Sequence, residues 1–128
     1  MGYDAARGLL VWTDRANHRL VYTHQDGTFH SETSLGQGGV SLPCNVDIKG
    51  DFALVASLGT PGDMNDGSVG IIDQRSGNVV SELKINALLG HKGHVYPHDA
   101  LWLPNGDVAV CTWNPGRLSY WRRRPVVQ

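Results

Sequence analysis

The chain has 128 residues, 41% of them hydrophobic and 18% charged, and its formal net charge is -1. This composition is typical of one globular domain with a core and differs from that of a disordered segment. The near-neutral charge argues against a nucleic-acid partner, and apolar runs no longer than Gly8–Trp12 and Phe52–Ala56 argue against a membrane span.

Short runs of strand-forming residues alternate with turn-forming clusters along the whole chain. Gln25-Asp26-Gly27 is typical of a tight hairpin turn, because glycine accepts a positive φ angle. A single helical turn is expected at 86–89. The strands predicted in chain order cover residues 9–13, 20–23, 28–33, 46–48, 52–56, 69–73, 79–83, 99–103, 108–113 and 118–121.

The same order of strands and turns recurs three times. Leu10, Leu54 and Val108 are taken as equivalent inner-strand residues, 44 and 54 positions apart, and propeller blades recur at about 40–50 residues. We therefore predict an all-β propeller segment in a single domain, 1–128, with about three four-stranded blades. Their approximate boundaries are 1–34, 35–84 and 85–128. A β-sandwich is the alternative, but a sandwich would not require the hairpins to recur in this order.

Three blades do not close a ring, since propellers have four to eight. Only Met1–Asp4 is available for the first strand of the first blade, and no outer strand is evident after Trp121. We expect two copies to form a homodimer that closes a six-bladed ring and supplies the missing edge strands, so an isolated monomer should be poorly stable. The other interpretation is that the chain is the C-terminal half of a longer polypeptide.

Two segments carry a resemblance to a known family. Residues 11–20, Val-Trp-Thr-Asp-Arg-Ala-Asn-His-Arg-Leu, resemble the Asp-Arg-x-Asn-x-Arg signature of NHL-repeat propellers. Residues 96–101, Tyr-Pro-His-Asp-Ala-Leu, with Pro-Asn-Gly-Asp at 104–107, resemble the Pro-His-Asp segment that enters a blade. The chain is thus similar to the C-terminal blades of bacterial peptidyl-α-hydroxyglycine α-amidating lyase-like proteins. Those are six-bladed, zinc-dependent enzymes that release a peptide amide and glyoxylate.

The resemblance also implies roles for individual residues. Arg15 matches the catalytic arginine, which would bind the substrate carboxylate, His98 matches one of three zinc ligands, and Asp99 matches a ligand of a structural calcium ion. Zn²⁺ and Ca²⁺ are the cofactors implied in this way. The chain departs from the pattern, because a second histidine would fall at or before Met1 and Asn45 is a poor zinc ligand. The third histidine and the catalytic tyrosine belong to blades the chain does not contain, so one chain alone is not expected to be a lyase.

Histidines also cluster locally, with His91, His94 and His98 within eight positions around Tyr96. A local metal site including His94 is one interpretation. A solvated loop is the default, because Gly93 and Pro97 interrupt any helix. Other groups are assigned structural roles: a turn-rich loop rather than a calcium site at Asp63, Asn65 and Asp66, small buried hydrophobes at Cys44 and Cys111, blade packing for the four tryptophans and a solvated tail at Arg122–Arg124.

These observations favour a ligand-binding or scaffolding module whose ligand is a small molecule or a peptide. The predicted ligand-binding residues are Arg15, His91 and Tyr96. The alternative is a metal-dependent amidating-lyase-like or hydrolase-like enzyme whose site is assembled only in the oligomer. No nucleic-acid or membrane partner is expected. Without a visible signal peptide, a cytoplasmic location is the default expectation.

Overall fold

The computed structural model describes residues 1–36, 39–63, 67–90, 95–114 and 116–124. Within these ranges the chain consists of strands, one short α-helix (α1) and one 3-10 turn at Arg15–Asn17. None of the described helices has the length and apolar character needed to cross a membrane. In chain order, the elements are β1 (Gly2–Asp4), β2 (Leu9–Asp14), β3 (Arg19–Thr23), β4 (Phe29–Ser34), β5 (Pro43–Lys49), β6 (Phe52–Ser57), β7 (Ser68–Asp73), β8 (Val79–Leu83), α1 (Ile85–Leu88), β9 (Pro97–Trp102), β10 (Val108–Thr112) and β11 (Arg117–Trp121).

The strands form three separate antiparallel sheets, each made from strands that follow one another along the chain. The first sheet has the order β1-β2-β3-β4 and the second β5-β6-β7-β8, while the third contains β9, β10 and β11. The predicted all-β class is therefore confirmed, and the three meanders are compatible with propeller-like blades.

The second sheet lies between the other two, and this explains the continuous apolar run in β6. Ala53 and Val55 face the first sheet and pack in a core with Leu9 and Val11, whereas Leu54 faces the third sheet. Residues 53–56 are fully buried, because both faces of the strand are covered. Three layers with a buried middle sheet replace the two layers that a sandwich would have.

The first strands of the three sheets contact one another. β5 contacts both β1 and β9, and a Cβ on Gly2 would come within 2.8 Å of the carbonyl oxygen of Val46, so glycine is required there. The N-terminal amine of Met1 donates to Asn45 Oδ1, and Asn45 Nδ2 donates to Asp99 Oδ1 at 2.7 Å. Hydrogen bonds therefore connect the N-terminus, which precedes β1, to Asn45 on β5 and then to Asp99 on β9. These are the first strands of the three sheets.

Three sequence-based assignments were wrong in detail. Leu54 and Val108 face each other between the second and third sheets, so these two residues are not equivalent. Counted from the strand ends, Ala53 is the residue of β6 that corresponds to Val108, and a shift of one residue in a strand reverses the face. Cys44 is half-buried as a strand residue, but Cys111 is exposed on β10. Trp102 and Trp121 pack against the core between the second and third sheets, whereas Trp12 and Trp113 are 41% and 66% exposed.

Candidate binding site around Arg15 and His98

Arg15 begins the 3-10 turn that joins β2 to β3, and a side-chain network holds this turn in place. Asn17 Nδ2 donates to both carboxylate oxygens of Asp14 at 2.9–3.0 Å, and Arg19 Nε donates to Asp14 Oδ2 at 2.8 Å. Arg19 also pairs with Glu32 on β4. These donors hold the pKa of Asp14 below its ordinary value, with the hydrogen bond from Asn17 as the largest cause. The signature residues therefore fix the turn and leave Arg15 exposed at its start.

His18 ends the same turn in a conformation that non-glycine residues rarely adopt, with φ at 55°. Its Nδ1 lies 2.7 Å from the carbonyl oxygen of Ser41. A carbonyl can only accept, so Nδ1 carries the proton and Nε2 is the nitrogen left for another partner. The backbone carbonyl of His18 also accepts from the N–H of Leu35 at 2.7 Å. One contact thus holds the imidazole of His18, and the other holds its backbone.

A depression of about 610 Å³ lies where the ends of the three sheets come together. The first sheet contributes Arg15, Ala16 and His18, the second Leu42 and Leu58, and the third His98 and Trp113. The pattern behind this set is a repeated one: Arg15, Leu58 and Trp113 each come directly after the second strand of their sheet. The depression combines an exposed guanidinium, two imidazoles and an apolar lining.

The Arg15 guanidinium has no carboxylate within ion-pair distance among the described residues, whereas Arg7, Arg19 and Arg75 do. The Nη1 of Arg15 lies 3.5 Å from Cys44 Sγ. Burial raises the pKa of the Cys44 thiol and outweighs the opposing effect of Arg15. Cys44 therefore stays protonated near neutral pH and is a weak nucleophile. Arg15 remains available to an external anion.

The other predicted site residues lie at different places. Tyr96 lies beside the site, with its ring 5.7 Å from that of Trp113 and its carbonyl accepting from the Trp113 N–H at 2.9 Å. Asp99, on β9, accepts a hydrogen bond from Asn45, on β5. His91 and His94 lie outside the described residues, as do Asn65 and Asp66. Asp63 forms a pair of backbone hydrogen bonds with Thr60, both at 3.0 Å.

The described residues do not fit the zinc centre that the family resemblance implies. Catalytic zinc requires three protein ligands and an open position, and no group of three or more His, Cys, Asp or Glu side chains within the described ranges could hold a metal ion. Asp99, the residue matched to calcium, is instead bonded to an amide nitrogen.

Sequence reasoning did not identify His18, Leu42, Leu58 or Trp113 as site residues. The repeat contained a signal for Leu58 and Trp113, because each sheet places the residue after its second strand at the same end of the stack. No protein-family model matches the chain, and no curated protein matches its sequence. The case for a function therefore depends on geometry.

Proposed function

We propose that the protein is an NHL-type half-propeller that binds a carboxylate-bearing small molecule or peptide terminus at the Arg15 depression. The observation that carries this proposal is an exposed guanidinium, without a carboxylate partner in the described part of the chain, beside an apolar lining. Arginine binds carboxylates bidentately through two parallel N–H donors. Leu42, Leu58 and Trp113 suit an apolar or aromatic group attached to the carboxylate.

We also propose that a second copy of the chain closes the ring. The outward face of the first sheet carries Tyr3 and Trp12, which are 51% and 41% exposed. At the other end of the stack, the outward face of the third sheet carries Leu101, Leu118 and Tyr120, which are 46%, 78% and 52% exposed. In a two-fold pair of chains, the outward face of the first sheet of each copy would pack against the outward face of the third sheet of the other copy. Both faces would then be covered.

Binding is tested by isothermal titration with N-acetylphenylalanine and with its uncharged primary amide. The acid should bind the wild-type protein and the amide should bind at least about tenfold more weakly, because a charge-assisted hydrogen bond is lost. Arg15→Ala should remove the preference for the acid while the solution mass stays unchanged. Arg75→Ala, at an exposed arginine that pairs with Asp51, is the matched control and should bind like the wild type. Equal binding of acid and amide to the wild type would contradict the proposal.

A further inference from the structure

The third sheet is incomplete on its outer side. β11 pairs with β10 on one edge, and among the described residues no strand pairs with its other edge. In the first and second sheets, the corresponding edges are covered by β4 and β8. The free edge of β11 therefore presents backbone N–H and C=O groups that an extended chain could pair with.

An apolar cleft of about 560 Å³ lies between the second and third sheets on this outer side. Val80 and Leu83 of β8, Ile71 of β7 and Trp121 of β11 are among its lining residues. The equivalent outer space between the first and second sheets is a depression of about 540 Å³ that β4 lines along one side. Thr33 of β4 lies close to the β7–β8 turn there, so that a Cβ on Gly77 would come within 3.3 Å of its methyl group. The cleft lies where a fourth strand of the third sheet and its turn would pack.

The charge at this cleft is positive. Lys49, Arg122 and Arg123 line it, and no Asp or Glu does. None of the three has an ion-pair partner among the described residues. Asp107 acts electrostatically on Arg122, but its carboxylate already accepts from Tyr120, Asn105 and the backbone N–H of Arg123. Two-fold self-pairing of β11 would be antiparallel and would place Arg122 and Arg123 of each copy near Arg117 of the other. Because these like charges repel, an acidic partner is favoured over a second copy.

We propose that the β11 edge and the adjoining cleft form a strand-accepting groove for an extended acidic peptide segment of another protein, with apolar residues at alternate positions. The peptide backbone would pair with β11 and add a fourth strand to the third sheet. Its apolar side chains would enter the cleft against Val80 and Leu83, and its carboxylates would pair with Lys49, Arg122 and Arg123. This groove is separate from the Arg15 depression and does not depend on ring closure.

The test uses a fluorescein-labelled heptapeptide, Glu-Leu-Glu-Val-Glu-Leu-Glu, with binding measured by anisotropy and amide hydrogen exchange measured at residues 118–121. Binding should slow exchange at the N–H groups of the free β11 edge. The same peptide N-methylated at alternate residues should lose binding, because it cannot complete the ladder. A version with lysine in place of glutamate should bind at least about fivefold more weakly, given ordinary exposed ion-pair strengths.

Variants of the protein separate charge from fold. The double variant Arg122→Glu, Arg123→Glu should weaken the acidic peptide at least about fivefold, and Val80→Glu, at a side chain that is 55% exposed, should weaken it while the β-sheet circular dichroism stays unchanged. Arg75→Glu, away from the cleft, is the control and should bind normally. Arg15→Ala should also bind normally, which keeps this test distinct from that of the proposed ligand site. Equal binding of the N-methylated or lysine peptides, or no binding by any peptide, would overturn the proposal.

Discussion

The second and third sheets are built from similar strands, yet the second is buried on both faces and the third on one face only. In β6, the side chains at 53–56 are inaccessible to solvent. In β10, Val108 and Val110 are buried against the second sheet, but Cys111 on the opposite face is exposed. The neighbouring strand β11 carries Leu118 and Tyr120 on that exposed face.

The difference shows that apolar patterning prepares a face for burial but does not supply the surface that covers it. Within the described part of the chain, the second sheet has a neighbouring sheet on each side, whereas the third has a neighbour on one side only. The exposed apolar residues at the ends of the stack are consistent with this arrangement, since such faces usually mark interfaces. Three pairs of substitutions sharpen the comparison.

The largest expected difference is between a leucine in the middle of the stack and one on its end. Leu54→Ala should lower the free energy of unfolding by about 2–5 kcal/mol, because it leaves a cavity between two packed sheets. Leu101→Ala, at a side chain that is 46% exposed, should change it by less than about 1 kcal/mol in the monomer. Urea unfolding at several protein concentrations is the measurement. The Leu54 effect should be present at every concentration, and equal losses for the two variants would contradict the comparison.

The second difference concerns association through the end faces. Leu118→Arg should weaken dimerisation at least about 30-fold, because a charge would be buried at the junction without a partner. Sedimentation equilibrium should give twice 13.9 kDa for the wild type and the single mass for the variant. Leu88→Arg, on α1 and 58% exposed, should remain dimeric.

Cys111 gives an independent measurement of the same junction. It lies on the exposed face beside Leu118, its register partner across β10 and β11. Its thiol should react slowly with a maleimide in the wild type and faster in Leu118→Arg. A wild-type protein that is monomeric at all concentrations, with a freely reactive Cys111, would rule out ring closure by a second copy.

The smallest expected effect is electrostatic and compares two turn aspartates. Asp107 is 8% exposed, and hydrogen bonds, first that from Tyr120, lower the pKa of its carboxyl. A lowered folded-state pKa stabilises the protein above the unfolded value of about 3.9, and this contribution is lost as the pH falls through the folded-state value. Asp107→Asn should therefore destabilise the protein at pH 7, with the difference from the wild type vanishing in acid.

Asp51 is the control for that experiment, because it forms ion pairs with Arg7 and Arg75 at the surface. Asp51→Asn should change stability little at any pH, as exposed ion pairs contribute little. Thermal unfolding of both variants between pH 7 and pH 3 is the measurement. A pH-independent loss in Asp107→Asn would show that the carboxylate charge is not involved.

Most strands could be predicted because alternation and turn residues are local signals. β10 was expected at 108–113 and occupies Val108–Thr112, and β8 occupies Val79–Leu83, as the sequence pattern indicated. The 3-10 turn at Arg15–Asn17 was not predicted, since it depends on the contacts of Asp14 with Asn17 and Arg19. Arg15 and His98 were selected from the sequence by resemblance, but His18 and Trp113 become part of the same depression only when three sheets meet.

The sequence by itself determined the β class and the order of the hairpins, because both depend on residues close together in the chain. The tertiary structure decided which face of each strand is covered, which residues surround Arg15 and where the third sheet stays open. Those features depend on contacts between segments far apart in the chain. Asn45, for example, meets Asp99 across 54 positions.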